Sequence, residues 1–355
     1  FAELGLPVPS LLAESADGQS YLLEDLGDQT LNAVLQDARR ATGDAWPASV
    51  RPAFRRAMAL LPRFQVEGGR HIDFEAAYPR ADQDRRAFRW DLNYFKYHFL
   101  KLAHAPFQED RLEDDFETLL DRLPTGGERY FLYRDFQPRN VMWKDDAPRY
   151  LDYQGGRRGP LAYDVASILY SGSAGLTADA REDLLEAYLE AIDGHVRLDR
   201  ARFRRDLETL SVLRILQALG TYGYRGFHER KHGFASRVPT ALDTLAGLAE
   251  RGALDGCTEL QRVLKALRED DARWAEATAT VEGGLRVRVG SFSYRGGFPR
   301  DVDEHGGGFV FDCRALVNPG RDEAYRGLSG LDETVRTILE SDPQVEAFFR
   351  RTASL

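Results

Sequence analysis

The sequence predicts an α+β chain: a mostly helical body around one small cluster of strands, followed by a smaller α/β module. Three observations carry this. Short β-like runs lie close together at 130–134, 141–144 and 149–153, with carboxylates at their edges. Long stretches on either side keep their apolar residues on one helical face, as at Leu112, Phe116, Leu119, Leu120 and Leu123. After Glu282-Gly283-Gly284, Leu285, Val287 and Val289 alternate with Arg286, Arg288 and Gly290, the pattern of a half-buried strand. A boundary near 283 then gives domains at 1–282 and 283–355.

Taken in order, Pro7 and Pro9 stop a helical remnant that ends near Gly5. Leu11, Leu12 and Ala13 lead to a turn at Ala16-Asp17-Gly18, and Tyr21-Leu22-Leu23-Glu24-Asp25-Leu26-Gly27 reads as a strand running into a glycine turn. Helices are expected at 29–38 and 51–61, a polar loop from 71 to 84, and an aromatic-rich helix at 90–100 whose stripe is explained by core packing. The helix after Arg111 has acids in its first turn, at the positive end of its dipole. Beyond the strands, a buried helix starts at Leu161. Amphipathic helices follow around Leu184–Ile192, through 203–219 and over 239–251, and a more polar connecting helix spans 259–280. A strand is expected at 309–314 and a helix through Leu331, Val335, Ile338 and Leu339.

At 355 residues with 43% hydrophobic and 30% charged residues, the chain has the make-up of an ordinary globular protein of about two domains. A net charge of −9 argues against a protein that coats nucleic acid, which needs a basic field. Cys257 and Cys313 are too few for a disulfide framework, and both read as buried, reduced thiols of a cytoplasmic protein. No apolar run reaches the roughly 20 residues that span a bilayer, so no membrane partner is expected. His228 and His232 have i, i+4 spacing but no companion acid or thiol, and read as a solvent-facing pair.

The chemistry concentrates in Tyr133-Arg134-Asp135-Phe136-Gln137-Pro138-Arg139-Asn140 and Tyr150-Leu151-Asp152-Tyr153-Gln154-Gly155-Gly156. An Asp, an Asn five positions on, and a second Asp on the next short strand suit phosphoryl transfer. Asp135 can take a hydroxyl proton, while Asn140 and Asp152 can hold Mg²⁺ against the phosphates of ATP. Either carboxylate alone is more simply a backbone cap, and it is the spaced set that argues for catalysis.

The Tyr-Arg-Asp-Phe-Gln-Pro-Arg-Asn octapeptide resembles the catalytic loop of the aminoglycoside phosphotransferase and choline kinase superfamily, whose members share the protein-kinase-like fold. Leu151-Asp152-Tyr153-Gln154-Gly155 is similar to its metal-binding segment, and Gly159-Pro160-Leu161-Ala162-Tyr163-Asp164-Val165-Ala166 to its buttressing helix. The resemblance implies that Asp164 hydrogen-bonds the loop backbone, and that Glu24, Asp25 and Leu26 form the adenine-binding hinge. Within the superfamily the likeness is nearest to the bacterial anomeric kinases of N-acetylmuramate and N-acetylglucosamine, on the hinge, the two Asp segments and the stretch from Arg214 to Arg225. It therefore implies an amino-sugar or cell-wall-sugar substrate. Candidate acceptor ligands are Asp91, Asn93, Tyr94, Gln154, Tyr222 and Arg225; the Asp91 carboxylate suits hydroxyls or an ammonium equally, so choline- or aminoglycoside-type acceptors stay open. All five lysines follow the hinge, whereas the superfamily carries a strand Lys before it. The abrupt start at Phe1 predicts that this segment lies upstream; the alternative is a degenerate kinase fold kept as a scaffold.

The segment from Val287 to Pro299, Phe311-Asp312-Cys313-Arg314-Ala315-Leu316-Val317-Asn318-Pro319 and Leu328-Ser329-Gly330-Leu331-Asp332 are similar to the C-terminal domain of the RNase adapter RapZ. That likeness implies sensing of an amino-sugar phosphate, or RNA binding, with Ser291, Arg295 and Arg314 as the phosphate-pocket candidates. Residues 285–355 carry ten basic and eleven acidic side chains, which does not make an RNA-binding field.

Overall fold

A computed structural model of the chain describes residues 1–124, 130–270, 274 and 310–353. The backbone divides into two compact units, 1–285 and 286–355. The expected strand at 285–290, the glycine run 306–308, Ser291 and Arg295 lie outside the described residues.

The first unit begins with a 3-10 turn, Ala2–Leu4, closed by Gly5 at φ 64°. Strands β1 (Leu11–Glu14) and β2 (Tyr21–Leu23) then form an antiparallel hairpin exposed on both faces. The helix over 29–38 is α1 (Leu31–Thr42): the Thr30 hydroxyl accepts the Ala33 N–H at 3.0 Å, and Gly43 ends the helix at φ 71°. Next come α2 (Arg51–Pro62), α3 (Arg85–Phe95) and α4 (Glu109–Asp121). The polar stretch 71–84 contains a 3-10 turn, Phe74–Ala76, which buries Phe74. Buried Lys96 binds Glu109 at 2.7 Å and Glu113 at 2.5 Å, tying the end of α3 to α4.

The strand cluster differs from expectation in its boundaries. It consists of β3 (Tyr130–Leu132), β4 (Val141–Lys144), β5 (Ala147–Tyr150) and β6 (Arg157–Gly159), paired antiparallel as β3–β6 and β4–β5. The third run is therefore 147–150, not 149–153: Asp145 and Asp146, at φ 51° and 53°, turn the chain back two residues after Trp143 and set the register Val141 opposite Tyr150. Asp152 consequently lies past the strand rather than on it.

Helices complete the unit: α5 (Leu161–Leu169), buried along its whole length, α6 (Ala178–Ile192), α7 (Arg200–Gly223), α8 (His232–Ala235), α9 (Val238–Glu250) and α10 (Thr258–Arg268). Helix α6 packs on α2, and α7 on α3 and α5. The supposed connecting helix is docked: α10 buries Leu260, Val263, Leu264 and Leu267, and its Leu260 N–H is capped by Asp115 Oδ2 at 2.6 Å. His228 closes the π turn after α7 and His232 opens α8, so the two fall on separate elements.

In the second unit the strand expected at 309–314 is not formed over 310–314. Asp312 Oδ1 accepts the Arg314 N–H at 3.0 Å, a local turn that replaces strand pairing. Cys313 is exposed, contrary to the sequence reading, while Cys257 is buried with its thiol pushed up to about 11 by burial. Helices follow at Glu333–Glu340 and Pro343–Ala353, and Leu331 lies ahead of the first, 93% exposed.

Candidate active site

The chain leaves β3 through a loop whose path is set from below. Asp164, fully buried on α5, accepts the backbone N–H groups of Tyr133 at 2.8 Å and Arg134 at 2.9 Å. It also accepts Gln65 Nε2 at 3.1 Å, and the Tyr188 hydroxyl donates to Gln65 Oε1 at 2.7 Å. Four elements thus fix one carboxylate, whose pKa is raised to about 7 by burial against the opposing pull of those donors. Held this way, Arg134 takes φ 75°, a conformation an L-residue enters only under such constraint. The loop then turns outward and presents Asp135.

Asn140 joins the two acidic segments. Its Nδ2 donates to the Asp135 carbonyl at 2.8 Å and to Asp152 Oδ2 at 3.1 Å, while the Leu151 N–H donates to the Asn140 carbonyl at 3.0 Å. Asp152 stands at φ 68°, lifted out of the β5 direction, and its other oxygen takes the Gln154 amide at 2.8 Å. The Tyr133 hydroxyl donates to the Leu151 carbonyl and closes the crossing from beneath. The Asp135 carboxylate is 46% exposed, 3.4 Å from Gln137 Nε2 and 3.6 Å from Arg214 Nη2.

The hinge segment lies beside β4. Lys144 Nζ binds the Asp25 carbonyl at 2.8 Å and sits 3.6 Å from the Glu24 carboxylate; the Trp143 N–H donates to the Gln29 carbonyl at 2.7 Å. Glu24 uses its own N–H on the Ser10 carbonyl, and Asp25 accepts the Gly27 N–H at 2.8 Å. The Glu24 carbonyl and Leu26 N–H, in contrast, have no partner among the described residues.

The acceptor candidates separate. Asp91, half-buried on α3, is pushed up to about 6 by burial, against Arg134 and Arg214 and a 3.2 Å bond from Gln83 Nε2. Asn93 is two residues further along the helix and so turned roughly 200° away from Asp91. Gln154 is already on Asp152. Arg225, on the turn after α7, lies exposed with its guanidinium 5.4 Å over the Phe234 ring and makes no bond to the loop. Arg314 is bound to both oxygens of Asp312, at 2.8 Å and 2.6 Å.

Sequence reasoning did not single out Gln65, Tyr188, Ser167, Arg134 or Arg157 as site residues. Nothing local marks Gln65, Tyr188 or Ser167, each of which acts on a residue distant in sequence. Arg134 alone carried a signal, as the residue beside the candidate base. Among the described residues no group of three or more His, Cys, Asp and Glu side chains could hold a metal. The oxygen donors of Asn140 and Asp152 still fit Mg²⁺, which takes one or two protein ligands and completes its shell with phosphates and water.

The profile of the phosphotransferase enzyme family matches residues 1–204, from the hinge through the loop, and that of the RapZ C-terminal domain matches 285–355. A nucleotide-binding protein of Cereibacter sphaeroides is 39% identical over 213 residues, 57% of this chain and 61% of that protein. An N-acetylmuramate/N-acetylglucosamine kinase of Pseudomonas aeruginosa is 28% identical over 170 residues, 47% of this chain and 45% of that one. The chain thus spans less than two thirds of the length of these curated relatives. A solved choline kinase from Cryptosporidium parvum Iowa II aligns with TM-score 0.47 and 10% identity, over 73% of this chain and 78% of that one. With the family profile covering more than half of its length and both acidic segments, the chain belongs to the phosphotransferase enzyme family.

Proposed function

We propose that the chain transfers the γ-phosphoryl group of ATP to a hydroxyl of an amino sugar or cell-wall sugar of the N-acetylmuramate/N-acetylglucosamine type, in the cytoplasm. The observation that carries this reading is the single Asn140 amide bonded to both the Asp135 backbone and the Asp152 carboxylate. It fixes a proton acceptor and two metal-type oxygens on one rigid crossing.

Asp135 is the base: exposed enough to meet a hydroxyl and held by its backbone, it takes the proton as the acceptor oxygen attacks phosphorus and ADP leaves. Asn140 and Asp152 would hold Mg²⁺, which when bound neutralises charge on the phosphates. The open Glu24 carbonyl and Leu26 N–H offer one acceptor and one donor, the pair an adenine edge needs. Asp91 and Gln154 orient the acceptor sugar. The C-terminal segment, with Ser291, Arg295 and Arg314, senses an amino-sugar phosphate, for which an anion competes with Asp312 at Arg314.

The test is ATP consumption with N-acetylmuramate, N-acetylglucosamine, choline and an aminoglycoside, each with and without EDTA. Sugar-dependent, EDTA-sensitive turnover is expected; turnover confined to choline or the aminoglycoside refutes the sugar assignment. ATP binding without turnover of any acceptor would instead favour a nucleotide-binding adapter, a reading encouraged by the relative described as a nucleotide-binding protein.

A further inference from the structure

Three guanidiniums surround the Asp135 loop, and the protein uses only two of them. Arg157, 2% exposed, gives Nε to the Gly155 carbonyl at 3.1 Å and Nη2 to the Tyr78 carbonyl at 3.2 Å. Arg214 gives Nε to the Ser167 hydroxyl at 3.1 Å, bonds Gln217, and stands 3.6 Å from Asp135. Arg134 is different. Its backbone is clamped at both ends, N–H to Asp164 and carbonyl to the Ser167 hydroxyl at 3.4 Å, so the direction of its side chain is set by the loop. Its stem crosses the second acidic segment, with Cδ 3.7 Å from where a Cβ on Gly155 would stand. Arg134 is half-buried as a residue, yet its guanidinium has no hydrogen bond or ion pair among the described residues.

A guanidinium held beside Asp135 with no partner of its own is open to an anion, and its planar fork matches a carboxylate. The protein's own carboxylates do not serve: Asp135 is beyond ion-pair distance of Arg134, and Asp91, although it feels Arg134 more than any other charge, is bonded to Gln83 instead. The arc of Arg134, Arg157 and Arg214 also opposes a cationic acceptor beside Asp135.

We propose that Arg134, backed by Arg157 and Arg214, is a specificity residue that binds a carboxylate carried by the acceptor, so that the site selects an acidic sugar over a neutral or cationic one. This rests on the sugar-kinase reading for its choice of acceptor. N-acetylmuramate and N-acetylglucosamine differ by one lactyl carboxylate and so form the matched probe pair.

Calorimetric affinities for both sugars and for ATP, with kcat and KM for each sugar, are compared in the full chain and in Arg134→Gln and Arg134→Lys. The unmodified protein is expected to bind the acidic sugar at least about tenfold more tightly than the neutral one, the range of one charge-assisted hydrogen-bond pair. Arg134→Gln removes that preference, chiefly through KM, and Arg134→Lys restores part of it. Equal affinities in the unmodified protein, a preference that survives Arg134→Gln, or an effect that falls on ATP affinity each overturn the proposal; the last would assign Arg134 to the nucleotide phosphates. Preferential binding of the acidic sugar without turnover keeps the subsite and removes the kinase reading. Equal turnover of both sugars does the reverse.

Discussion

Asp135 stands on the loop and Asp164 on α5 beneath it, and their environments differ sharply. Asp135 is open to solvent and makes only long contacts, to Gln137 at 3.4 Å and Arg214 at 3.6 Å. Asp164 is sealed among three N–H donors and holds the loop backbone. Replacing Asp135 by Asn should therefore leave the melting temperature unchanged while lowering kcat about 10²- to 10⁴-fold, measured by coupled ATP consumption; a near-native rate would refute its role as base. Asp91 gives a pH signature. Burial raises its folded pKa to about 6 from an unfolded 3.8, so between those values the folded state holds the proton and the unfolded chain has released it. Its contribution to stability is thus lost as pH rises from about 4 to about 6. Asp91→Asn should flatten the urea-midpoint profile over that window, and an unaltered slope there would contradict the shift. At this scale the sequence disclosed the types and spacing of Asp135, Asn140 and Asp152. It did not disclose that Asn140 physically joins the other two, because that depends on the two Asp turn residues that set the register of β4 against β5.

Among the elements, α7 decides how closely the helices approach beneath the site. It crosses α3 and the π turn that continues it, Lys96–Leu100, at two glycines one turn apart. A Cβ on Gly220 would press on the Tyr94 ring, and one on Gly223 would overlap the His98 carbonyl oxygen. Since backbone rather than a flexible side chain is met at Gly223, the helices must separate to admit even a methyl group. Gly223→Ala is expected to cost about 1–3 kcal/mol, read from chemical denaturation, with acceptor KM rising as Asp91 on α3 is displaced. The helical periodicities at 29–38, 51–61 and 112–123 were legible because each buries one stripe. The five-residue π turns that continue α2, α3 and α7 were not legible, being extra residues accommodated by packing rather than by composition. The strand expected at 309–314 failed for the opposite reason. Its apolar run was real, but the Asp312 carboxylate turns the chain locally by taking the Arg314 N–H.

For the whole molecule, an α+β unit of the phosphotransferase enzyme family is joined in one chain to a segment matching the RapZ C-terminal domain. No helix among the described residues is long and apolar enough to cross a membrane. If the second unit senses an amino-sugar phosphate, deleting residues 286–355 should leave kcat and KM for the preferred sugar unchanged and abolish any response to glucosamine 6-phosphate. Activity and thermal-shift assays at increasing effector concentration check this. No response in the full chain would remove the sensing role.

The sequence by itself determined the family, the identities of the two acidic segments and most helices, because these depend on residue type and on local periodicity. Only the tertiary structure decided which residues meet. It set Asp164, Gln65 and Tyr188 in one chain under the loop, placed Asp91 near the arginines and turned Asn93 from it, left Arg225 away from the loop, and kept the Arg134 guanidinium without a partner among the described residues. The reason is that burial and charge pairing depend on distances between segments far apart in the chain, such as the 123 residues between Tyr188 and Gln65, and such distances are written in no local pattern.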